Sequence, residues 1–190
     1  MWGTCLGFQA MLVVMSNSSR ALTGSKALYV NLTLQLEPDY AKSRMFSALS
    51  SELAEAVNKQ PLTYHHHQLG VPVSFYNDPT LGLDKIFNIL GTTHDQDGQK
   101  IVAAIEHKTL PIYGVAFHPE KTIFDFYPDH NITHLKEAEI FATYLAEFFA
   151  DETRRSPMNM DYIEVNHSKI QNYPVTVLDG YMGEEYRFSS

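Results

Sequence analysis

The sequence predicts an α/β protein with an open sheet flanked by helices. Three observations support this. Segments with strand-like patterning alternate loosely with segments of helical periodicity along the 190 residues. Two short motifs, Gly3-Thr4-Cys5-Leu6-Gly7 and Phe117-His118-Pro119-Glu120, each hold a reactive residue where a strand gives way to a turn or helix. The length suits one domain of roughly 100–200 residues. A hydrophobic fraction of 44% with 19% charged residues can fill a core.

The elements follow in chain order. The apolar run over 6–15 opens a helix directly after Cys5. Residues 27–36 alternate near their end and read as a strand. Phe46, Leu49, Leu53, Ala54 and Val57 recur at helical spacing. Residues 61–73 are strand-like and contain His65-His66-His67. Asp78-Pro79-Thr80 reads as a helix start, with Leu83, Ile86, Phe87 and Leu90 on one face. His94-Asp95-Gln96-Asp97-Gly98 is a turn signal, and strands are expected over 101–106 and 112–117 with a short connection between them. Leu135, Ala138, Phe141, Leu145 and Phe148 mark the clearest amphipathic helix, ending near Arg154-Arg155 with its aromatic face in the core. The tail is more polar and carries one expected strand, 174–178. The expected organisation is a body over 1–155 and a tail over 156–190 packing on the same domain.

A net charge of −8 with no lysine or arginine run argues against nucleic acid as the main partner. An acidic ligand would have to be held by local arginine, lysine or backbone N–H groups. The single cysteine cannot form an intramolecular disulfide. Asn-x-Ser/Thr triplets begin at Asn17, Asn31, Asn131 and Asn166, which leans toward the secretory route. Yet the first residues lack the charged and apolar regions of a signal peptide. The apolar stretch over 11–15 is too short to cross a bilayer, and no membrane partner is expected.

Gly-x-Cys-x-Gly has the form of a nucleophile elbow, a sharp strand-to-helix turn that lifts the nucleophile out of the sheet. Flanking glycines suit it because a Cβ on either side would collide with neighbouring backbone. The following helix aims N–H groups at the sulfur, and the Leu6 N–H is a natural oxyanion donor. The five residues alone also fit a buried structural cysteine in a turn. In the second motif an apolar strand delivers His118, and Pro119 stops the strand. Glu120 can accept from the far imidazole nitrogen, fixing the tautomer and stabilising the imidazolium. A structural histidine at a strand end would fit that motif alone, so the pair of motifs is what points to nucleophilic catalysis.

Residues 2–9, Trp-Gly-Thr-Cys-Leu-Gly-Phe-Gln, and 113–121, Tyr-Gly-Val-Ala-Phe-His-Pro-Glu-Lys, resemble γ-glutamyl hydrolases, relatives of class I glutamine amidotransferases. Ser43-Arg44-Met45-Phe46, Asn31-Leu32-Thr33 and the helix segment 144–149 are similar too. The likeness runs from Trp2 to about Arg155. It implies a class I glutamine amidotransferase-like, flavodoxin-like open sheet. It also implies hydrolysis of poly-γ-glutamyl folates, with Cys5 as nucleophile, His118 as base and Glu120 as third residue. A further active-site histidine of the family falls on His67. The resemblance implies a lysosomal or secreted protein that needs no cofactor, and a homodimer is left open. Relatives of this kind carry further residues before the elbow, so the first strands of the sheet and a second oxyanion donor are expected to be missing here.

The remaining candidates are weaker. Adjacent histidines on a strand face opposite ways, so His65, His66 and His67 do not read as a metal site. Arg44 could pair with a substrate carboxylate or be structural. Two other functions stay open. One is a glutaminase domain feeding ammonia to a synthetase, and the other is a truncated, non-catalytic remnant with an exposed sheet edge.

Overall fold

The computed structural model describes residues 1–156, 169–177 and 184–186. It divides into two units, Met1–Thr153 and Arg154–Ser190, where the sequence suggested a boundary at 155/156. In the second unit, β8 (Val175–Val177) pairs antiparallel with β9 (Glu184–Tyr186). The expected strand over 174–178 thus has its centre in β8, and Leu178 lies outside the described residues, as does Asn166.

The first unit is built on a five-stranded sheet. Its strands are β1 (Trp2–Thr4), β3 (Gln35–Leu36), β5 (Phe87–His94), β6 (Lys100–His107) and β7 (Tyr113–Val115), in the order β1-β7-β6-β5-β3. Only β1 and β7 are parallel, and the other neighbours are antiparallel. A separate antiparallel ribbon joins β2 (Thr23–Leu32) to β4 (Thr63–Gly70). The helices are α1 (Leu6–Ser16), α2 (Ser51–Lys59), α3 (Val73–Tyr76), α4 (Leu83–Ile86), α5 (Pro119–Phe124) and α6 (Lys136–Arg154).

Two apolar layers sandwich the sheet. On one side Leu49, Ala54 and Val57 meet Phe141 and Leu145 of α6 over Tyr113, Val115 and Phe117. On the other, Phe8 and Leu12 of α1 pack with Val71, Leu83, Phe87 and Ile105. The aromatic face expected for the last long helix is therefore partly in this core: Phe141 is buried and Phe148 packs edge-on against Tyr113. Ser50 caps α2 by accepting from the Leu53 N–H, so this helix starts later than the periodic residues at 46 and 49 suggested.

Two elements differ from the sequence reading. The periodic face over 83–90 is only one turn of helix, because β6 captures the chain from Phe87 onward as a full-length strand partner. Strand pairing overrode helical spacing there. The strand expected over 27–36 is split, since Leu34 turns into the core and its N–H bonds the Val57 carbonyl.

The glycines of the elbow are not equivalent. A Cβ on Gly3 would stand 2.7 Å from the Gly7 carbonyl carbon and 2.5 Å from Met11 Cε, whereas a Cβ on Gly7 would meet nothing within 4 Å. Only Gly3 obeys the collision argument. Gly114 on the neighbouring strand is tight as well: a Cβ there would stand 2.8 Å from Met11 Cε and 3.0 Å from Phe8 Cδ2. These two glycines let α1 lie down on β1 and β7. Gly3→Ala should cost about 1–3 kcal/mol of stability through overpacking. Gly7→Ala should be neutral or gain about 0.5–1 kcal/mol, because alanine costs less in a helix. Urea unfolding of the two variants checks both signs.

Candidate active site

The parallel pair β1–β7 ends where both motifs begin. The register Thr4↔Val115 is extended one residue further by the Cys5 N–H, which donates to the Val115 carbonyl at 2.9 Å. Cys5 then takes φ 49° and ψ −103°, a positive φ on a non-glycine residue, and α1 starts at the next residue. Such a conformation costs about 1–3 kcal/mol and persists only where the surroundings impose it. Here they are the strand before, the helix after, and the close approach allowed by Gly3. The first N–H groups of α1 have no partner within the helix and face the elbow.

β7 carries the chain to His118, whose N–H donates to the Tyr64 carbonyl of β4 at 2.8 Å. Pro119 sits at the first position of α5, where its missing N–H costs nothing. His118 Nδ1 lies 2.6 Å from Glu120 Oε1. That leaves the other ring nitrogen for Cys5, whose sulfur is close enough to raise the His118 imidazole. Burial alone would push the imidazole down. The neighbouring Cys5 and the hydrogen-bonded carboxylate of Glu120 outweigh it and raise His118 from 6.5 to about 9. At neutral pH His118 is therefore an imidazolium. The Cys5 Sγ also lies 3.8 Å from the His66 carbonyl oxygen.

The three histidines of β4 split as their alternation requires. His65 and His67 share the buried face, with His65 Nδ1 3.0 Å from His67 Nε2 and His65 Nε2 3.1 Å from Thr63 Oγ1. The Thr63 hydroxyl donates to the Leu32 carbonyl, so it accepts from His65 Nε2–H. A neutral His65 then accepts from His67 Nε2–H. Neutrality follows from burial, which holds His65 well below 6.5 and His67 at about 4, the positive charge of His118 adding to both. His66 points to the other face and is half-buried beside Tyr29.

A family model described as glutamine amidotransferase class-I matches residues 1–130. The chain belongs to the class I glutamine amidotransferase family. Among curated proteins it is 29% identical over 177 residues to γ-glutamyl hydrolase B of Dictyostelium discoideum, covering 93% of this chain and 51% of that one. It is 35% identical over 156 residues to the γ-glutamyl hydrolase of Rattus norvegicus, covering 82% and 48%. For the Bos taurus γ-glutamyl hydrolase the identity is 34% over 155 residues, covering 82% and 48%. The chain spans about half the length of the curated relatives it matches.

In this amidotransferase domain Cys5, the Leu6 N–H, His118 and Glu120 come together at one sheet edge. His67 stands nearby but is 5% exposed, with its Nε2 committed to His65. Arg44 is elsewhere. Its guanidinium donates to the carbonyls of His107 and Leu110 at 2.5 and 2.7 Å and lies over the Tyr113 ring, at the start of β7 rather than its end. Of the two readings left open for Arg44, partner of a substrate carboxylate or structural residue, this placement favours the second. Among the described residues no helix is long and apolar enough to cross a membrane.

Because the folded-state value of His118 is raised, its imidazolium contributes stability that is complete below about 6.5 and is lost as pH climbs toward 9. Glu120→Gln should lower the His118 midpoint by roughly one unit or more. An NMR titration of the ring checks this, and an unchanged midpoint would show that Glu120 does not act on His118.

Proposed function

We propose that this chain carries the catalytic apparatus of a cysteine hydrolase that cleaves γ-glutamyl bonds, with folate polyglutamates as the substrate class. The observation that carries the reading is the strained Cys5 on its elbow beside a His118–Glu120 pair. The names of the relatives and the sequence resemblance supply the substrate.

The Cys5 thiolate attacks the γ-carbonyl carbon, forming a C–S bond and an oxyanion. The Leu6 N–H stabilises that oxygen, aided by the positive end of α1. His118 gives its proton to the departing amine nitrogen as the C–N bond breaks, which leaves a thioester. Water then attacks the thioester while His118 takes its proton. The C–S bond breaks, and the glutamyl carboxylic acid leaves with Cys5 regenerated. Glu120 holds the His118 tautomer and offsets the charge of the imidazolium throughout. His67 is neutral and buried, and its part in this reading is to brace the strand whose His66 carbonyl borders the sulfur. A lysosomal or secreted location is supported by the Asn-x-Ser/Thr triplets and the resemblance.

The test is incubation of the chain with a folate polyglutamate, followed by mass. Shortening should require Cys5 and be lost in Cys5→Ala. His118→Ala should reduce kcat by at least about a hundredfold. Glutamine, whose side chain is also a γ-amide, belongs in the same assay. Turnover of glutamine alone would replace the hydrolase reading with a glutaminase. A folded chain with neither activity would be the non-catalytic remnant.

A further inference from the structure

Beside the nucleophile lies a surface of rings that the chemistry above does not use. In the β2–β4 ribbon the pairing passes from Ala27↔His67 to Val30↔His65, so two residues, Leu28 and Tyr29, stand opposite His66 alone. This is a β-bulge, a device that re-aims a side chain and is common next to active sites. Tyr29 occupies it with φ 55°, in the left-handed region that a tyrosine rarely adopts. The bulge lays the Tyr29 ring against His66, centroids 4.4 Å apart, while the residue stays 43% exposed.

A second segment completes the surface. His130 packs 5.0 Å from Tyr29, and the exposed Tyr127 stacks on His130 at 5.0 Å. Two bonds hold this loop to β2. The Asn31 side-chain amide donates to the Asn131 carbonyl at 2.6 Å, and Asn31 Oδ1 accepts from the Thr133 N–H at 3.1 Å. The platform is tied to the reacting group through the backbone of His66, whose carbonyl oxygen lies 3.8 Å from Cys5 Sγ. A bulge, a strained tyrosine and a latched loop thus hold solvent-facing rings one residue from the nucleophile. Burying a core would not require this, because Tyr29 and Tyr127 face water.

The geometry points to an aryl-binding subsite formed by Tyr29, His66 and His130, which takes the planar aromatic group attached to the glutamate whose γ-carbonyl is presented to Cys5. The occupant rests on the γ-glutamyl hydrolase reading, in which an aromatic amide heads the glutamyl chain. Ring stacking selects flat π-faces and tolerates variation at their edges. The subsite would favour a glutamate carrying an aryl amide over one carrying a small aliphatic cap.

Isothermal titration with two ligands that lack any γ-peptide bond tests this without turnover. N-(4-aminobenzoyl)glutamate should bind the unaltered chain about tenfold more tightly than N-acetylglutamate. That ratio should collapse toward one in Tyr29→Gly and in His66→Ala. Glycine adopts φ 55° without strain, so Tyr29→Gly should keep or raise the Tm, which separates lost binding from lost folding. Equal affinity for the two ligands in the unaltered chain would overturn the subsite, as would a preference that survives both substitutions. Absence of γ-glutamyl cleavage in the mass assay would sink the hydrolase reading while leaving this titration as it stands.

Discussion

The site depends on one hydrogen bond, from the Cys5 N–H to the Val115 carbonyl. It continues the parallel pairing of β1 and β7 past the end of β1 and fixes where the chain must turn. Two segments far apart in sequence then finish at the same edge of the sheet, one presenting a sulfur and the other an imidazole. The close seat of α1 on these strands follows from the missing side chains at Gly3 and Gly114. That seat aims the start of α1 at the elbow. The unfavourable backbone of Cys5 is the cost of that arrangement, and the packing of α1 against Phe87 and Ile105 is what offsets it.

The two ends of β7 carry different burdens. At its start Tyr113 hydrogen-bonds Glu152, lies under Arg44 and neighbours Glu106, which accepts from the N–H groups of Arg44 and Met45. These groups tie the loops together. At its end one histidine is kept charged while those behind it are kept neutral. For His118 the neighbouring thiol and carboxylate outweigh burial, whereas for His65 and His67 burial prevails and the charge of His118 adds to it. Environments that push like groups apart are how acid and base roles are assigned within a site. A net charge of −8 for the whole chain gives no hint of this local balance.

Much of this was legible in the sequence because the motifs encode backbone geometry. Gly-x-Cys-x-Gly predicted the turn between β1 and α1, and His-Pro-Glu predicted a strand end with a histidine beside a carboxylate. Alternation alone placed His66 opposite to His65 and His67. What failed was what tertiary pairing decides. Leu83, Ile86, Phe87 and Leu90 keep helical spacing, yet β6 claims Phe87 onward. Arg44 sits in a family-like segment, but only the fold shows that one of its terminal nitrogens is taken by two carbonyls. The platform of Tyr29, His66 and His130 was invisible, because a bulge and a positive φ at tyrosine leave no mark in residue type. The Asn31-Leu32-Thr33 and Asn131-Ile132-Thr133 triplets hinted only at modification, while in the fold their residues fasten one segment to the other.

If the imidazolium of His118 and the start of α1 make Cys5 reactive, a chain with a single cysteine allows a direct test. The rate of Cys5 alkylation by iodoacetamide at pH 6 would be compared between the unaltered chain and His118→Ala, with folding of both checked by circular dichroism. Fast alkylation is expected, falling by at least about tenfold in the folded variant, as loss of a neighbouring cation requires. Equal rates in two folded proteins would contradict it and return Cys5 to the role of a cysteine in a structural turn.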